Sequence, residues 1–281
     1  MPLELNKVSY AYGAGQSWEQ QALADVALRV EPGELVLVVG PTGSGKSTLL
    51  RLAAGLIEPD AGSVSLDGQP ISSAARGARV GIVFQNPESQ LFSETVLDDV
   101  AFGPMNLGRS KPEARDVSRD ALREVGLDPE AFSDRSPFSL SGGEARRAAL
   151  AGVLSMRPDY LLADEPTAGL DASGRETVRA IFTKLRERAG VVVVTHDAEE
   201  FLDAADRVLV LLEGRSAFYG SVGQLLEAPE VFRQPGLRPP PLLEVQLRLR
   251  AAGVRLPSLS FDPTEVARGV ADALAAGQGC R

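Results

Sequence analysis

Apolar positions recur along the chain with two different periods, and the change of period divides it. Continuous runs at Leu35–Val39, Val80–Phe84, Tyr160–Ala163 and Val191–Val194 are each stopped by polar residues or glycine, which predicts buried strands. The Val191–Val194 run is β-branched throughout, as in a parallel strand covered on both faces. Leu3–Val8 alternates in part and Ala27–Val30 is short, so both predict strands of a small antiparallel sheet, with Ser63–Gly68 an alternating edge strand. Val208–Leu212 and Ala217–Tyr219 predict a closing strand pair around Glu213-Gly214.

Between residues 86 and 157 the period lengthens. Ala114, Val117, Ala121 and Val125 recur at steps of three and four, and Ser141 opens a second such face through Ala148, Ala149, Gly152, Val153 and Met156. Asn86-Pro87, Gly103-Pro104, Asp128-Pro129 and Ser136-Pro137 separate the helices, so this stretch predicts a helical insertion in an α/β domain. Leu91, Phe92, Val96, Leu97 and Phe102 read two ways, as a small satellite core or as a partner groove.

From about Pro229 an appendage begins, with Gln234-Pro235-Gly236 and Pro239-Pro240-Pro241 as semi-rigid linkers. There Leu243, Val245, Leu247 and Leu249 alternate, while Leu242, Val245 and Leu249 also fit a helix, so the period leaves both open. Asp262-Pro263-Thr264-Glu265 predicts an N-cap, a proline at the first helical position and a capping-box glutamate, ahead of Val266, Val270 and Leu274. Residues 233 to 255 carry five arginines and one glutamate, either a solvated face or a subunit contact.

Chemistry enters at the glycine-rich turn Gly40-Pro41-Thr42-Gly43-Ser44-Gly45-Lys46-Ser47-Thr48, between the Leu35–Val39 strand and a helix-forming run to Ala54. It fits G-x-x-x-x-G-K-[ST], in which backbone N–H groups and a helix N-terminus cradle phosphates. Lys46 supplies a point charge for the β- and γ-phosphates and Ser47 a hydroxyl for Mg²⁺. Asp164 and Glu165 end the Tyr160 strand, a costly place for carboxylates unless they are paired or hold a cation. Asp164 suits holding Mg²⁺, and Glu165 suits polarising an attacking water. Gln85 and His196 each follow a predicted strand at its C-terminal end, where open α/β sheets place ligands. Gln85 is expected at the metal or the water, and His196, the single histidine, at the γ-phosphate. Tyr12 precedes the loop in Tyr10-Ala11-Tyr12; spacing alone leaves adenine stacking and core packing open. Leu140-Ser141-Gly142-Gly143-Glu144 forms a second helix N-terminus with small residues, which suggests a site shared with another subunit.

Composition narrows the class. A chain of 281 residues exceeds one average domain, and 44% hydrophobic residues can build a core. A balance of 29 basic to 38 acidic residues, net −9, argues against nucleic acid as the partner. The apolar runs fall far short of the roughly 20 residues of a membrane span, so a membrane role must come through partners. Met1–Lys7 shows no basic segment before an apolar core, so no secretory signal is expected, and the lone Cys280 fits a reducing compartment. The chain shows no internal repeat and no second P-loop.

The ordered set Gly40–Thr48, Gln85, Leu140–Glu144, Tyr160–Glu165, Ala168–Asp171 and His196 resembles the Walker A, Q-loop, signature, Walker B, D-loop and H-loop of ABC ATPases, over roughly residues 3 to 220. The resemblance implies a P-loop ABC ATPase domain: a RecA-like α/β core, a small antiparallel β subdomain and an inserted α-helical subdomain at about 86–157, all within 1–228. A small, mainly helical C-terminal appendage at 229–281 would follow as a dimer contact. It implies ATP and Mg²⁺, with Ser47, Gln85 and Asp164 at the metal, and Glu165, His196, Lys46 and Gln85 in catalysis. It also matches Tyr12 to the aromatic that stacks on adenine. Each ATP would lie between one subunit's P-loop and another's Ser141, Gly142, Gly143, Glu144 and Asp171. Glu144 departs from the usual signature glutamine and puts negative charge beside the partner's nucleotide.

Phe84-Gln85-Asn86-Pro87-Glu88-Ser89-Gln90-Leu91-Phe92, running into Ala101-Phe102-Gly103-Pro104, is similar to ATPases of energy-coupling-factor (ECF) importers of vitamins or cobalt and nickel ions. Tyr10–Tyr12 with Glu19-Gln20-Gln21-Ala22-Leu23, and the C-terminal appendage, point the same way. That likeness implies a second ATPase, alike or different, and a membrane scaffold protein docked near Gln85–Phe102. A substrate-binding membrane subunit would be met only indirectly, and the chain would sit at the cytoplasmic face of the cell membrane. The alternatives are the ATPase of a conventional ABC importer or exporter, or a soluble ABC protein acting on ribosomes or DNA.

Overall fold

Two sheets account for the strands that the apolar runs predict. The computed structural model describes residues 2–71, 79–234, 237–256 and 258–278; Cys280 and Pro235-Gly236 of the predicted linker lie outside them, as does the Leu274 side chain. The chain runs β1 (Leu3–Tyr12), β2 (Gln20–Val30), β3 (Leu35–Val39), α1 (Lys46–Ala53), β4 (Ala61–Leu66), β5 (Gln69–Pro70) and β6 (Val80–Val83). Four helices follow: α2 (Val96–Asn106), α3 (Lys111–Glu124), α4 (Pro129–Phe132) and α5 (Gly142–Leu154). The chain returns through β7 (Tyr160–Asp164), α6 (Ala172–Leu185), β8 (Gly190–Thr195), β9 (Arg207–Leu212) and β10 (Arg215–Ser221). It ends in α7 (Val222–Glu227), α8 (Pro241–Ala251) and α9 (Pro263–Gln278).

The smaller sheet is antiparallel in the order β2-β1-β4-β5, and the larger has the order β10-β9-β3-β8-β7-β6. From β9 to β6 the larger sheet is parallel, and β10 adds antiparallel. Strand period decides the layering. Leu35, Leu37, Leu161, Ala163, Val191 and Val193 enter a core with α2, α3, α5 and α6. Their neighbours Val36, Val38, Leu162, Val192 and Val194 enter a second core with α1 and the antiparallel sheet. All six residues of β8 are buried, as a doubly covered parallel strand requires.

Several sequence expectations change in detail. β1 runs on through the aromatic pair, with Tyr10 opposite Leu23 and Tyr12 opposite Gln20, so both tyrosines lie on a strand before the turn. β4 is not a free edge, because the two-residue β5 covers one end of it. The ambiguous apolar group splits: Val96 and Leu97 join the main core and not a satellite one, while Phe92 and Phe102 are 59% and 44% exposed. α5 stops at Leu154, before Met156, although Met156 still packs against Gly103. Proline starts α8, which settles that segment as a helix with Leu243 inward and Val245 outward. Asp262 caps α9 through Thr264 N (2.7 Å), but Glu265 accepts from Ser260 Oγ (2.6 Å) instead of closing a box, because Ser260 Oγ already takes the Asp262 N–H (3.0 Å). The largest hydrophobic cluster also includes Val231, Phe232, Leu243 and Leu259 from the C-terminal segment. Among the described residues no helix is long and apolar enough to cross a membrane.

The antiparallel sheet meets the large sheet at the start of α1. Gly45 there has φ 101°, and a Cβ on it would stand 2.5 Å from the Ala22 carbonyl oxygen of β2. Ala24 N also donates to Gly214 O (2.8 Å) and Gly214 N to Ser44 O (3.1 Å), so the glycine loop is clamped from both sides. Gly45→Ala is therefore expected to destabilise the full chain by about 1–3 kcal/mol through backbone strain, with the clash against Ala22 added. Urea unfolding followed by circular dichroism measures it, and an unchanged midpoint would show that the junction relaxes.

Candidate active site

Lys46 opens α1 immediately after the left-handed Gly45, so its side chain leaves a turn that cannot hold a bulkier residue at position 45. The ammonium donates to Gly40 O (2.8 Å) and Pro41 O (3.0 Å) across the loop. Burial pushes its pKa down, against the opposing pull of Glu165 and Asp164. Ser44 is buried, and its Oγ has no hydrogen-bond partner among the described residues. Thr42, Gly43 and Ser47 face solvent.

β7 delivers the two carboxylates. Burial raises the Asp164 pKa; a hydrogen bond from Ser47 works against this, the Glu165 charge adds to it, and Lys46 and Arg51 offset part of it. Glu165 leaves the strand at φ 50°, a strained value for a non-glycine residue, while its N–H still donates to Val194 O (2.8 Å). Its carboxylate turns to the end of β8. Oε1 accepts from His196 N (2.9 Å) and lies 2.9 Å from His196 Nδ1, and Oε2 accepts from Thr195 Oγ1 (3.2 Å). A neutral imidazole in this arrangement carries its hydrogen on Nδ1. Parallel pairing of β7 with β8 makes this meeting obligatory, because Asp164 lies opposite Val194 in register.

A cleft of about 450 Å³ gathers most of the predicted residues: Tyr12, Thr42, Gly43, Gly45, Lys46, Ser47, Thr48, Gln85, Asp164, Glu165 and His196 all line it. Gly40, Pro41 and Ser44 complete the loop behind that lining. Tyr12 is held over α1, with its hydroxyl 3.1 Å from Thr48 Oγ1 and accepting from Arg51 Nη1 (3.1 Å), and its ring stands edge-on to Tyr10 at 5.0 Å. Ser141, Gly142, Gly143, Glu144 and Asp171 are not among the lining residues. Ser141 and Gly142 are exposed, with nothing within 4 Å of a Cβ built on Gly142 or Gly143. Ser141 caps α5, and Glu144 returns a hydrogen bond from Ser141 N (2.8 Å). Those contacts with Ser141 hold the Glu144 pKa down, so its charge stays. Asp171 caps α6 through Gly174 N (2.8 Å).

Two features escaped the sequence reading. Gln20 and Gln21 also line the cleft, brought there by the β1–β2 hairpin, and strand alternation alone carried no sign of it. Arg146 is buried inside the site's framework, although an arginine on a helix reads as a surface residue.

Comparison with known proteins identifies the family and the fold. The family described as "ABC transporter" matches residues 23–168. An energy-coupling factor transporter ATP-binding protein EcfA2 from Streptococcus agalactiae serotype Ia is 42% identical over 94% of this chain and 97% of that protein. The protein of the same name from Symbiobacterium thermophilum is 43% identical over 92% and 91%. Among solved structures, cbiO1 from Clostridium perfringens, part of the ABC transporter complex cbiONQ, superposes with a TM-score of 0.72 at 32% identity, covering 89% of this chain and 96% of that one. The ATP-binding cassette MJ0796, in a dimeric post-hydrolysis state bound to ADP and Pi, gives 0.71 at 30% identity, covering 79% and 99%. The fold is that of a P-loop ABC ATPase, and the chain belongs to the ABC transporter family as an ATP-hydrolysing subunit of the energy-coupling factor type.

Proposed function

We propose that this cleft is one half of an ATP site, completed by a second ABC ATPase, in a chain that energises ECF-type import of a vitamin or transition-metal ion. The convergence of Gln85, Asp164, Glu165 and His196 on the glycine loop carries this reading. Backbone N–H groups of Gly40–Thr48 and the start of α1 receive the phosphates, Lys46 meets the β- and γ-phosphates, and Tyr12 stacks on adenine. Glu165 takes a proton from the attacking water as the water oxygen bonds in line to the γ-phosphorus and the bond from that phosphorus to the β–γ bridging oxygen breaks, releasing ADP; Gln85 orients that water, and His196 contacts the γ-phosphate while Nδ1 stays on Glu165. Ser47 Oγ, the Gln85 carboxamide oxygen and the Asp164 carboxylate form an all-oxygen set suited to Mg²⁺. The Ser47–Asp164 hydrogen bond and the burial of Asp164 fit that set. When bound, the ion offsets charge developing on the phosphate oxygens.

Ser141–Glu144 and the exposed Asp171 would complete the partner's site, in keeping with the dimeric state of MJ0796. The retained Glu144 charge would weaken that half relative to one carrying glutamine. A groove of about 380 Å³ beside α2 and α5, lined by Gln90, Leu91, Phe92, Phe102, Leu107 and Met156 among others, suits a membrane scaffold protein. The chain would be peripheral to the cytoplasmic face of the membrane, with residues 229–281 as a dimer contact appended to the 1–228 nucleotide-binding domain. The substrate-binding membrane subunit would be reached only through the scaffold.

Glu165→Gln is expected to leave ATP binding by the full chain intact and to lower steady-state turnover by about 10²–10⁴-fold, with an ATP-dependent dimer persisting in size-exclusion chromatography. Near-normal hydrolysis would remove Glu165 from that role. Separately, Phe92→Asp combined with Phe102→Asp should abolish co-purification with the membrane partner while the turnover of the detached ATPase stays within about twofold. Undiminished co-purification would place the docking surface elsewhere.

A further inference from the structure

Arg146 lies in α5, five positions after the capping Ser141, and is only 7% exposed. Its guanidinium leaves the helix and ends on two other segments, residues 85–88 and 166–168. Nη2 donates to Gln85 O (3.1 Å), Nη1 to Ala168 O and, at 3.5 Å, to Pro166 O, and Nε to Glu88 Oε2 (3.3 Å). Burying a guanidinium is costly unless its donors are used, and here the fork is spent mainly on main-chain carbonyls. Those carbonyls bracket the cleft. Gln85 lines it directly, and Pro166–Ala168 follows Glu165 and leads into the turn that ends at Asp171. The same helix begins at the Ser141–Gly143 turn, where Ser141 and Gly142 are exposed.

We propose that Arg146 is a positioning residue for ATP hydrolysis: it fixes the backbones at Gln85 and Pro166–Ala168 against α5, so that the cleft and the signature turn keep one geometry. Its contact with Glu88 also ties this hub to the segment that borders the exposed Phe92–Phe102 groove. A displacement at residues 85–90 is thereby passed to the turn at Ala168 and to the start of α5 through one side chain. Lysine is a poor replacement, because a single ammonium on a flexible stem cannot span acceptors on two segments in a planar fork. The inference rests on the roles given above to Gln85 and Glu165.

The test uses the full chain in its assembled ATPase dimer, as wild type, Arg146→Met, Arg146→Lys and, as reference, Glu165→Gln. Kinetics in ATP and thermal midpoints are recorded for each. Misplacing catalytic groups by about 1 Å costs on the order of 10²-fold, so Arg146→Met is expected to lower kcat by about that factor with KM for ATP within about threefold. Arg146→Lys should recover part of kcat. Wild-type kcat in either Arg146 variant overturns the proposal. Parallel deterioration of kcat, KM and thermal midpoint in Arg146→Lys also overturns it, in favour of a prop for folding. If Arg146→Met fails to fold, Arg146→Lys decides alone: reduced kcat at unchanged KM supports positioning, and unchanged kcat refutes it. Failure of the underlying site assignment is seen separately, as retained turnover in Glu165→Gln.

Discussion

One ammonium and two carboxylates are drawn partly out of water at a single place in this fold, and much of the architecture answers that cost. Burial depresses the Lys46 pKa and raises that of Asp164, so neither charge is at ease in the cleft. The carbonyls of Gly40 and Pro41, the Ser47 hydroxyl and the end of β8 supply partial compensation. A polyphosphate with a hard cation is the ligand chemistry that would satisfy all three charges together.

Holding those groups in place falls to the strands behind them. Parallel pairing in fixed register brings the ends of β3, β7 and β8 to one edge of the sheet, which is why the glycine loop, Asp164-Glu165 and Thr195-His196 meet although they are far apart in sequence. Full burial on both faces leaves those strands little freedom to slip, since a one-residue shift would exchange the two cores. The strained backbone of Glu165 is stored against that rigid background.

The helical insertion is attached differently. α2, α3 and α5 pack on the outer core, and the Arg146 fork of α5 reaches the backbone beside the cleft. One end of the insertion carries the exposed Ser141-Gly142 turn, and another face carries Phe92 and Phe102. A membrane partner at that groove and a nucleotide at the cleft would therefore bear on the same few backbone segments.

The sequence by itself determined the glycine loop, the buried strands, the capped start of α5 and the candidate residues at strand ends, because these depend on local chemistry: glycine conformations, apolar period and side chains that cap or charge a terminus. It also placed Tyr12 near the loop without deciding how the ring is used. Tertiary structure alone decided which apolar residues beside Gln85 are core and which are exposed, since Val96 and Phe92 look alike until α2 and α5 pack. It alone brought Gln20 and Gln21 to the cleft and buried Arg146 among carbonyls from two distant segments. Such outcomes depend on contacts between residues tens of positions apart, and neither period nor composition along one chain records which carbonyl a guanidinium will find.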